Sequence, residues 1–436
     1  MSLYSEHLKT VMRRFDEALE HTGFDSVLIF SGQPQVAFLD DNSYPYRVNP
    51  LFKYWLPITE SPKSYIFYRK GETPKLFLFQ ARDFWHTQPQ LPPGEWQELF
   101  DIQLIDTIQP VRSALSGALS QTAFLGEAFD GLSEWGLAEV NPTSLINYVH
   151  FQRSLKTEYE VSCLRKANVL AAQGHNAAKL AFDNKASELE IHHAYLGAIQ
   201  CHETQLPYNS IVALNQNGAV LHYDVYETKA PAEHLSFLID AGALHDGYCA
   251  DITRTYSASA EGFYAELVQA VDEAEQAIIG DIEVGRSYYD LHVDMHRKIA
   301  GLLAQFGFFK ISAEAIFERG YTRAFFPHGL GHFIGLQVHD VAGHLKNAQG
   351  ESFAPDAQHP FLRLRQTIQA GQVFTIEPGL YVVDQLLEEF EGNEDFNWQR
   401  IAELRPYGGV RIEDSVHVTS EGTVENLTRD AFASLK

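Results

Sequence analysis

Residues Phe237 to Tyr256 read FLIDAGALHDGYCADITRTY. Two runs rich in apolar and β-branched residues flank Asp246-Gly247, a pair suited to a tight turn because both positions tolerate positive φ. The spacing predicts a β-hairpin. Each run carries one carboxylate where a strand would place an apolar residue: Asp240 in the first and Asp251 in the second. Folding about His245 and Asp246 puts these two opposite each other or nearly so, and directly opposed Cβ atoms lie about 4.5–5.5 Å apart. Carboxylates that close repel unless a cation or a shared proton lies between them. The pair is therefore a candidate metal site. The alternative is two solvated aspartates on the open face of an edge hairpin.

The whole chain sets the frame for that hairpin. Its 436 residues exceed one ordinary core, so two domains are expected, 1–155 and 156–436. Hydrophobic residues make up 45% and charged residues 21%, the balance of a globular protein. The net charge is −24, which argues against nucleic acid and anionic membrane as partners, because both need a basic face. No apolar run reaches transmembrane length. The first residues, MSLYSEHLKTVMRRFDEALEHTGF, lack the apolar centre of a secretory signal. Leu8, Val11, Met12, Phe15 and Leu19 recur there at helical spacing and predict an amphipathic helix. Three cysteines, Cys163, Cys201 and Cys249, form no CxxC pair and suit free thiols in a reducing compartment. The expected location is the cytoplasm.

Residues 1–155 read as a small α/β unit with strands at Ser26–Phe30, Ser64–Tyr68, Lys75–Phe79 and Thr122–Leu125. One stretch stands out, LDDNSYPYRVNPLFKYWLP from Leu39 to Pro57, which mixes Asp40, Asp41 and Asn42 with five aromatic side chains. Such a loop either lines a pocket or an interface, or is ordinary packing. From about residue 155 the texture becomes helical. Thr157 with Glu160, and Ser187 with Glu190, have the form of capping boxes. No Gly/Ser- or Pro-rich linker separates the two halves.

The second half carries the chemistry. Leu206 to Tyr223 reads as a strand, a turn at Asn217-Gly218, and a short run to His222. Helix patterns cover roughly 260–280 and 287–305. The segment FFPHGLGHFIGLQVHD, Phe325 to Asp340, presents His328, His332 and His339 among glycines that disfavour a helix. Glu377 in QVFTIEPGLYVV and Glu413 in GGVRIEDSVHV each replace an apolar residue in a strand-like run. Arg411 shares a face with Glu413 by period two. The acidic run from Glu388 to Asp395 reads as a solvated insertion.

Asp240, Asp251, His332, Glu377 and Glu413 make four carboxylates and one imidazole. One cation does not need four carboxylates, whereas two divalent cations do. An oxygen-rich set with a single nitrogen suits Mn²⁺, Co²⁺ or Zn²⁺, and the predicted chemistry is metal-assisted hydrolysis.

These segments resemble the pita-bread metallopeptidases, a family that includes methionine aminopeptidase, aminopeptidase P and prolidase. FLIDAGALHDGYCADITRTY, FPHGLGHFIGLQVHD, FTIEPGLYV and GGVRIEDSV are similar to the signatures of the Xaa-Pro dipeptidases, above all the bacterial prolidases also described as organophosphorus acid anhydrolases. The resemblance implies an α+β protein: a smaller N-terminal creatinase-like domain for dimerisation and active-site closure, then a pita-bread catalytic domain. It implies two divalent ions, Mn²⁺ first, with Asp240 on one, His332 and Glu377 on the other, and Asp251 and Glu413 shared. Glu377 is then also the proton shuttle. His222 and His339 contact substrate and the tetrahedral intermediate, and His328 lines the pocket. Arg411 and Arg363 hold the proline carboxylate, and Tyr208, Leu221 and Tyr288 form pocket walls. A homodimer follows, with Asp41 as the residue meeting the substrate's α-ammonium. The implied substrate is an Xaa-Pro dipeptide, with a side activity on organophosphorus triesters and fluoridates. Two other readings stand beside it: an aminopeptidase P acting on longer peptides, and a binding module that has lost catalysis.

Overall fold

The computed structural model describes residues 2–80, 84–85 and 93–436. They form two compact units, one of Met1–Arg153 with Thr157–Glu160 and Leu345–Ser352, the other of Ser154–Lys156, Val161–His344 and Phe353–Lys436.

In the first unit α1, Leu3–Thr22, begins at the Ser2 cap and ends at Gly23, whose φ of 80° closes the helix. Its buried stripe includes Leu8, Val11, Phe15 and Leu19, with Met12 at the edge. β1, Ser26–Phe30, is apolar after Ser26 because it is buried on both faces. α2 follows at Pro50–Trp55. β2 (Tyr65–Arg69), β3 (Lys75–Phe79) and β4 (Asp101–Ile105) continue the unit. After a short helix α3, Gln109–Ala114, come β5 (Thr122–Leu125), β6 (Glu139–Val140) and α4 (Thr143–Arg153). The six strands make one mixed sheet in the order β4-β3-β2-β1-β5-β6.

α2 decides how the aromatic stretch from Leu39 to Pro57 is read. Asn49 caps it and Pro50 opens it, both normal at a helix start. Leu51, Phe52, Tyr54 and Trp55 are buried, so the second half of the stretch is core. The first half is a surface hairpin: Val36 bridges Ser43, and Phe38 and Leu39 at its tip are 89% and 91% exposed.

α5, Glu158–Asp183, starts at the expected capping box, the Thr157 N–H donating to Glu160 Oε2 at 2.9 Å. α6, Glu188–Ile199, starts at the Ser187–Glu190 box. β7 (Ile211–Leu214) and β8 (Ser236–Asp240) pair antiparallel. β9 (Leu244–His245) and β10 (Tyr248–Cys249) form the expected hairpin, with Asp246 and Gly247 at φ of 50° and 83°. Two positive φ values match the strand twist, as a type I′ turn does. β11, Thr253–Ser257, returns alongside β8. The hairpin can close because Gly242 has no side chain: a Cβ there would lie 2.0 Å from the Ala250 carbonyl oxygen. α7 (Phe263–Gly280) and α8 (Tyr288–Gln305) supply the apolar layer behind the remaining strands. These are β12 (Val373–Ile376), β13 (Gly379–Tyr381), β14 (Gly409–Arg411), β15 (Asp414–Val418) and β16 (Val424–Asn426), arranged as β12-β15-β16 and β13-β14.

The run from Glu388 to Asp395 is solvated in part only. Its glutamates are exposed, but Asp395 pairs with Arg319, and Phe396 beside it is fully buried. Cys163, Cys201 and Cys249 are free thiols, the first and last buried. Among the described residues no helix is long and apolar enough to cross a membrane.

Candidate metal centre

Strand ends of the second unit deliver the five expected ligand residues to one place. Asp240 closes β8 and Asp251 precedes β11. Glu377 lies between β12 and β13, and Glu413 between β14 and β15. The Glu413 N–H donates to the Thr253 carbonyl at 3.0 Å, tying that connection to β11. His332 comes from the Gly-rich segment, which runs extended beside β12: the Thr375 N–H donates to His332 O and the Glu377 N–H to Leu330 O. That approach requires Gly331, where a Cβ would lie 2.0 Å from Thr375 O.

Asp240 and Asp251 are not directly opposite. Asp240 pairs with Thr253, so Asp251 is its diagonal neighbour, two positions earlier on the other strand. The Tyr208 hydroxyl joins them, 2.7 Å from Asp240 Oδ1 and 2.5 Å from Asp251 Oδ1. A hydroxyl has one proton to donate, so the second short contact needs a proton or a cation on the carboxylate side. One ligand atom each of Asp251, His332 and Glu413 lie within 4.8 Å of one another. His332 Nε2 is 3.4 Å from Asp251 Oδ2 and 3.5 Å from Glu377 Oε1. Its Nδ1 is 3.0 Å from the Phe333 carbonyl, a contact that keeps a proton on Nδ1; against burial, Asp251 and Glu377 raise the ring, so Nε2 carries a proton towards Asp251 that a bound cation would replace.

The electrostatics describe a site with too much negative charge for its surroundings. Burial, with repulsion from Asp251, Glu377 and Asp240, pushes the Glu413 carboxyl far up. Burial likewise raises Glu377 to about 7, and raises Asp240 against the pull of Arg411. Burial also acts upward on Asp251, but hydrogen bonds from His332 and Tyr208 outweigh it and hold Asp251 down. Oxygen-rich and short of counter-charge, with one imidazole nitrogen turned inward, the set fits divalent cations of the Mn²⁺, Co²⁺ and Zn²⁺ type.

Arg411 does something other than expected. Its Nη2 donates to Asp240 Oδ2 at 2.9 Å, its Nη1 to the Tyr381 hydroxyl at 3.0 Å, and its Nε to Thr253 Oγ1 at 3.2 Å. The side chain is 5% exposed. The guanidinium is therefore part of the scaffold of Asp240 and not a free receptor for a substrate carboxylate. Arg363, by contrast, is exposed, close enough to depress His339, and makes no hydrogen bond or ion pair among the described residues. Tyr288 is fully buried, its hydroxyl donating to Thr375 O at 2.7 Å behind Gly331 and close enough to Glu377 and Glu413 to feel their charge.

His339 stacks edge-on against His332, ring centroids 4.4 Å apart, and burial beside His332 lowers it to about 4. His328 Nδ1 lies 3.7 Å from Glu377 Oε2, and its Nε2 lies 2.9 Å from the Tyr381 hydroxyl. His222 is exposed and acts on both His328 and His339, with Leu221 half-buried beside it. Asp41 lies on the exposed hairpin of the first unit.

Three positioning groups went unread in the sequence. Tyr381 links Arg411 to His328 and shares the Glu377 face by period two. Thr253 donates to Glu413 Oε2 at 2.7 Å and shares the Asp251 face by the same period. The third is a buried ion pair, Lys156 Nζ to Asp340 Oδ2 at 2.8 Å with both side chains 1% exposed, at the base of the His332–His339 loop. Removing one partner of such a pair leaves an uncompensated buried charge. Lys156→Met is expected to lower unfolding stability by about 3–5 kcal/mol, measured by urea denaturation; a change near zero would show that the loop holds without the pair.

Two family profiles match the chain in succession: "Xaa-Pro dipeptidase, N-terminal domain" over residues 2–151 and "Metallopeptidase family M24" over residues 162–420. The chain belongs to metallopeptidase family M24. Over 437 aligned residues it is 60% identical to Xaa-Pro dipeptidase 2 of Idiomarina loihiensis, covering 100% of this chain and 99% of that one. It is 44% identical to the Xaa-Pro dipeptidase of Pseudoalteromonas translucida, covering 98% of each. Among solved structures, Escherichia coli aminopeptidase P with the inhibitor Pro-Leu superposes with a TM-score of 0.73 at 23% identity, over 97% of this chain and 95% of that one. That likeness shows the fold alone. The M24 protein is thus α+β, an Xaa-Pro dipeptidase N-terminal domain ahead of a pita-bread domain.

Proposed function

We propose that this M24 peptidase is an Xaa-Pro dipeptidase working in the cytoplasm with two divalent ions, Mn²⁺ first, Co²⁺ or Zn²⁺ as alternatives. The observation that carries this reading is the convergence of four carboxylates and the inward-facing Nε2 of His332 around Tyr208. Asp240 would hold one ion, His332 and Glu377 the other, and Asp251 and Glu413 both. When bound, the ions supply Lewis-acid stabilisation of developing negative charge and acidify water for attack. The chain's own residues do the rest. Glu377 carries a proton towards the leaving nitrogen. Arg411 and Tyr208 fix Asp240 from either side. His339 and His222 face the oxygen on which charge develops. Arg363 meets the proline carboxylate, for which a guanidinium is suited because it donates through two parallel N–H groups. Release of free proline from Leu-Pro and Gly-Pro on adding Mn²⁺, abolished by a chelator, tests the reading; an inactive metal-loaded protein would overturn it.

The proposal extends to a homodimer in which the exposed hairpin meets a partner copy and Asp41 meets the substrate's ammonium. What supports it is the apolar tip, Val36, Phe38, Leu39 and Tyr44, all more than 60% exposed. Asp41→Ala is expected to raise KM for dipeptides, and sedimentation should give a dimer. A fully active monomer would contradict both.

The proposal also includes hydrolysis of organophosphorus triesters and fluoridates, because tetrahedral phosphorus and a peptide carbonyl call for the same charge stabilisation. Such substrates offer no carboxylate to Arg363. Arg363→Ala should therefore impair Ala-Pro cleavage and leave diisopropyl fluorophosphate hydrolysis within about twofold, a change well under 1 kcal/mol. Arg411→Ala should damage both, since it releases Asp240. Equal losses in Arg363→Ala would count against its assignment.

A further inference from the structure

A second nitrogen-rich cluster lies in the same unit, apart from the five residues above. His292 and His296 stand one helical turn apart on one face of α8, 1% and 2% exposed. His359, half-buried, reaches them from the loop after residue 353. The three ring centroids are 4.4 to 4.9 Å apart. One ring nitrogen from each residue lies within 4.8 Å of the other two. His292 Nε2 and His359 Nδ1 are 2.9 Å apart.

The surrounding groups orient these rings. His296 Nδ1 lies 2.9 Å from the hydroxyl of Thr322, itself buried, a contact that turns the His296 Nε2 lone pair away from Thr322. Metal-ligating histidines are held this way by a partner on the other nitrogen. The backbone N–H of His359 donates to Asp356 Oδ1 at 3.3 Å, which fixes the start of its turn. His292 Nδ1 is buried with no hydrogen-bond partner, an uncompensated group that two histidines sharing one proton do not explain. The charged groups facing the cluster are Arg323, which is exposed, and Arg365 with Asp356, which lie 4.0 Å apart as an ion pair of opposite sign.

We propose that His292, His296 and His359 form a third metal site, for Zn²⁺ or a similar nitrogen-preferring divalent ion. Two ligands at i and i+4 of a helix plus one from a distant loop is a common way to build a three-histidine zinc site, with the fourth position open to water. Tetrahedral Zn–N bonds of about 2.0–2.1 Å place ligand nitrogens roughly 3.3 Å apart, so the closest pair here opens by a few tenths of an ångström. The turn after His359 packs on Gly329, where a Cβ would touch Phe361 O and Leu362 Cα at 3.0 Å. An ion there ties α8 to the segment that carries Arg363.

The test counts metal on the full-length protein. Wild type, His359→Asn and His296→Gln are stripped with a chelator, equilibrated with excess Zn²⁺, freed of unbound metal, and analysed by mass spectrometry of the element. Wild type should hold one more zinc per chain than either variant, whatever the carboxylate centre holds. With Co²⁺ in place of Zn²⁺, wild type should show an intense visible band of tetrahedral cobalt that both variants lose. Equal zinc counts in wild type and the variants overturn the proposal. Should neither variant fold, the wild-type cobalt spectrum decides: the intense band supports the site, and only weak six-coordinate absorption overturns it.

Discussion

Asp251→Asn is expected to reduce cleavage of Ala-Pro by roughly a thousandfold or more, equivalent to about 4 kcal/mol of lost transition-state stabilisation. The reason lies in the charge balance. Asp251 is the one carboxylate of the four held below its usual range, because His332 and Tyr208 hydrogen-bond its charged form against the effect of burial. It is thus the one carboxylate whose charged form the chain itself stabilises, and as a proposed shared ligand it would neutralise charge on both ions. An amide at this position keeps the shape and a hydrogen-bond acceptor but loses the charge, and it presents an NH₂ group to one neighbour. The variant should fold, since its volume is unchanged, and should bind fewer equivalents of Mn²⁺ than wild type. Steady-state kinetics with metal analysis on the same sample separate the two effects. Near wild-type turnover in a metal-replete Asp251→Asn protein would refute the carboxylate assignment.

The second large effect belongs to Arg363. Arg363→Ala is expected to lower kcat/KM for Ala-Pro roughly ten- to a hundredfold, the range for losing a hydrogen bond to a charged group. The loss should appear mainly as a raised KM, because the proline carboxylate is present in ground state and transition state alike. A larger figure would suit a buried guanidinium, but Arg363 is exposed and its attraction is screened. Arg411, the buried candidate, already holds Asp240 and Tyr381. Unchanged kinetics for Ala-Pro in Arg363→Ala would return the carboxylate to some other group.

Much of this was legible in the sequence because polar residues in strands are conspicuous. Asp240, Glu377 and Glu413 stand out against β-branched neighbours, and Asp246-Gly247 announces its turn through the φ values it permits. The capping boxes at Thr157 and Ser187 are local signals, and local geometry honours them. What stayed hidden depends on partners distant in the chain. Arg411 reads as a free cation until Asp240, 171 residues away, is placed against it. Lys156 and Asp340 are unremarkable charges until both are buried together. Asp240 and Asp251 sit diagonally because the turn falls at Asp246-Gly247, one residue beyond a centre at His245-Asp246, which moves the partner of Asp240 two positions on to Thr253. Tyr288 carries an aromatic signature that suits a pocket or a core equally, and its contact with Thr375, 87 residues away, is not legible in the sequence. α2 could have been found, since Asn49-Pro50 is a recognisable helix start inside an aromatic stretch.

A dipeptidase site ends at the proline carboxylate. The most direct test is kcat/KM of the Mn²⁺-loaded protein for Ala-Pro against Ala-Pro-Ala. A dipeptide presents a carboxylate to Arg363, and a tripeptide presents a neutral amide in its place. The dipeptide should be preferred by roughly tenfold or more. Equal efficiency on the two peptides, or a preference for the tripeptide, would contradict it and would make the enzyme an aminopeptidase acting on longer chains.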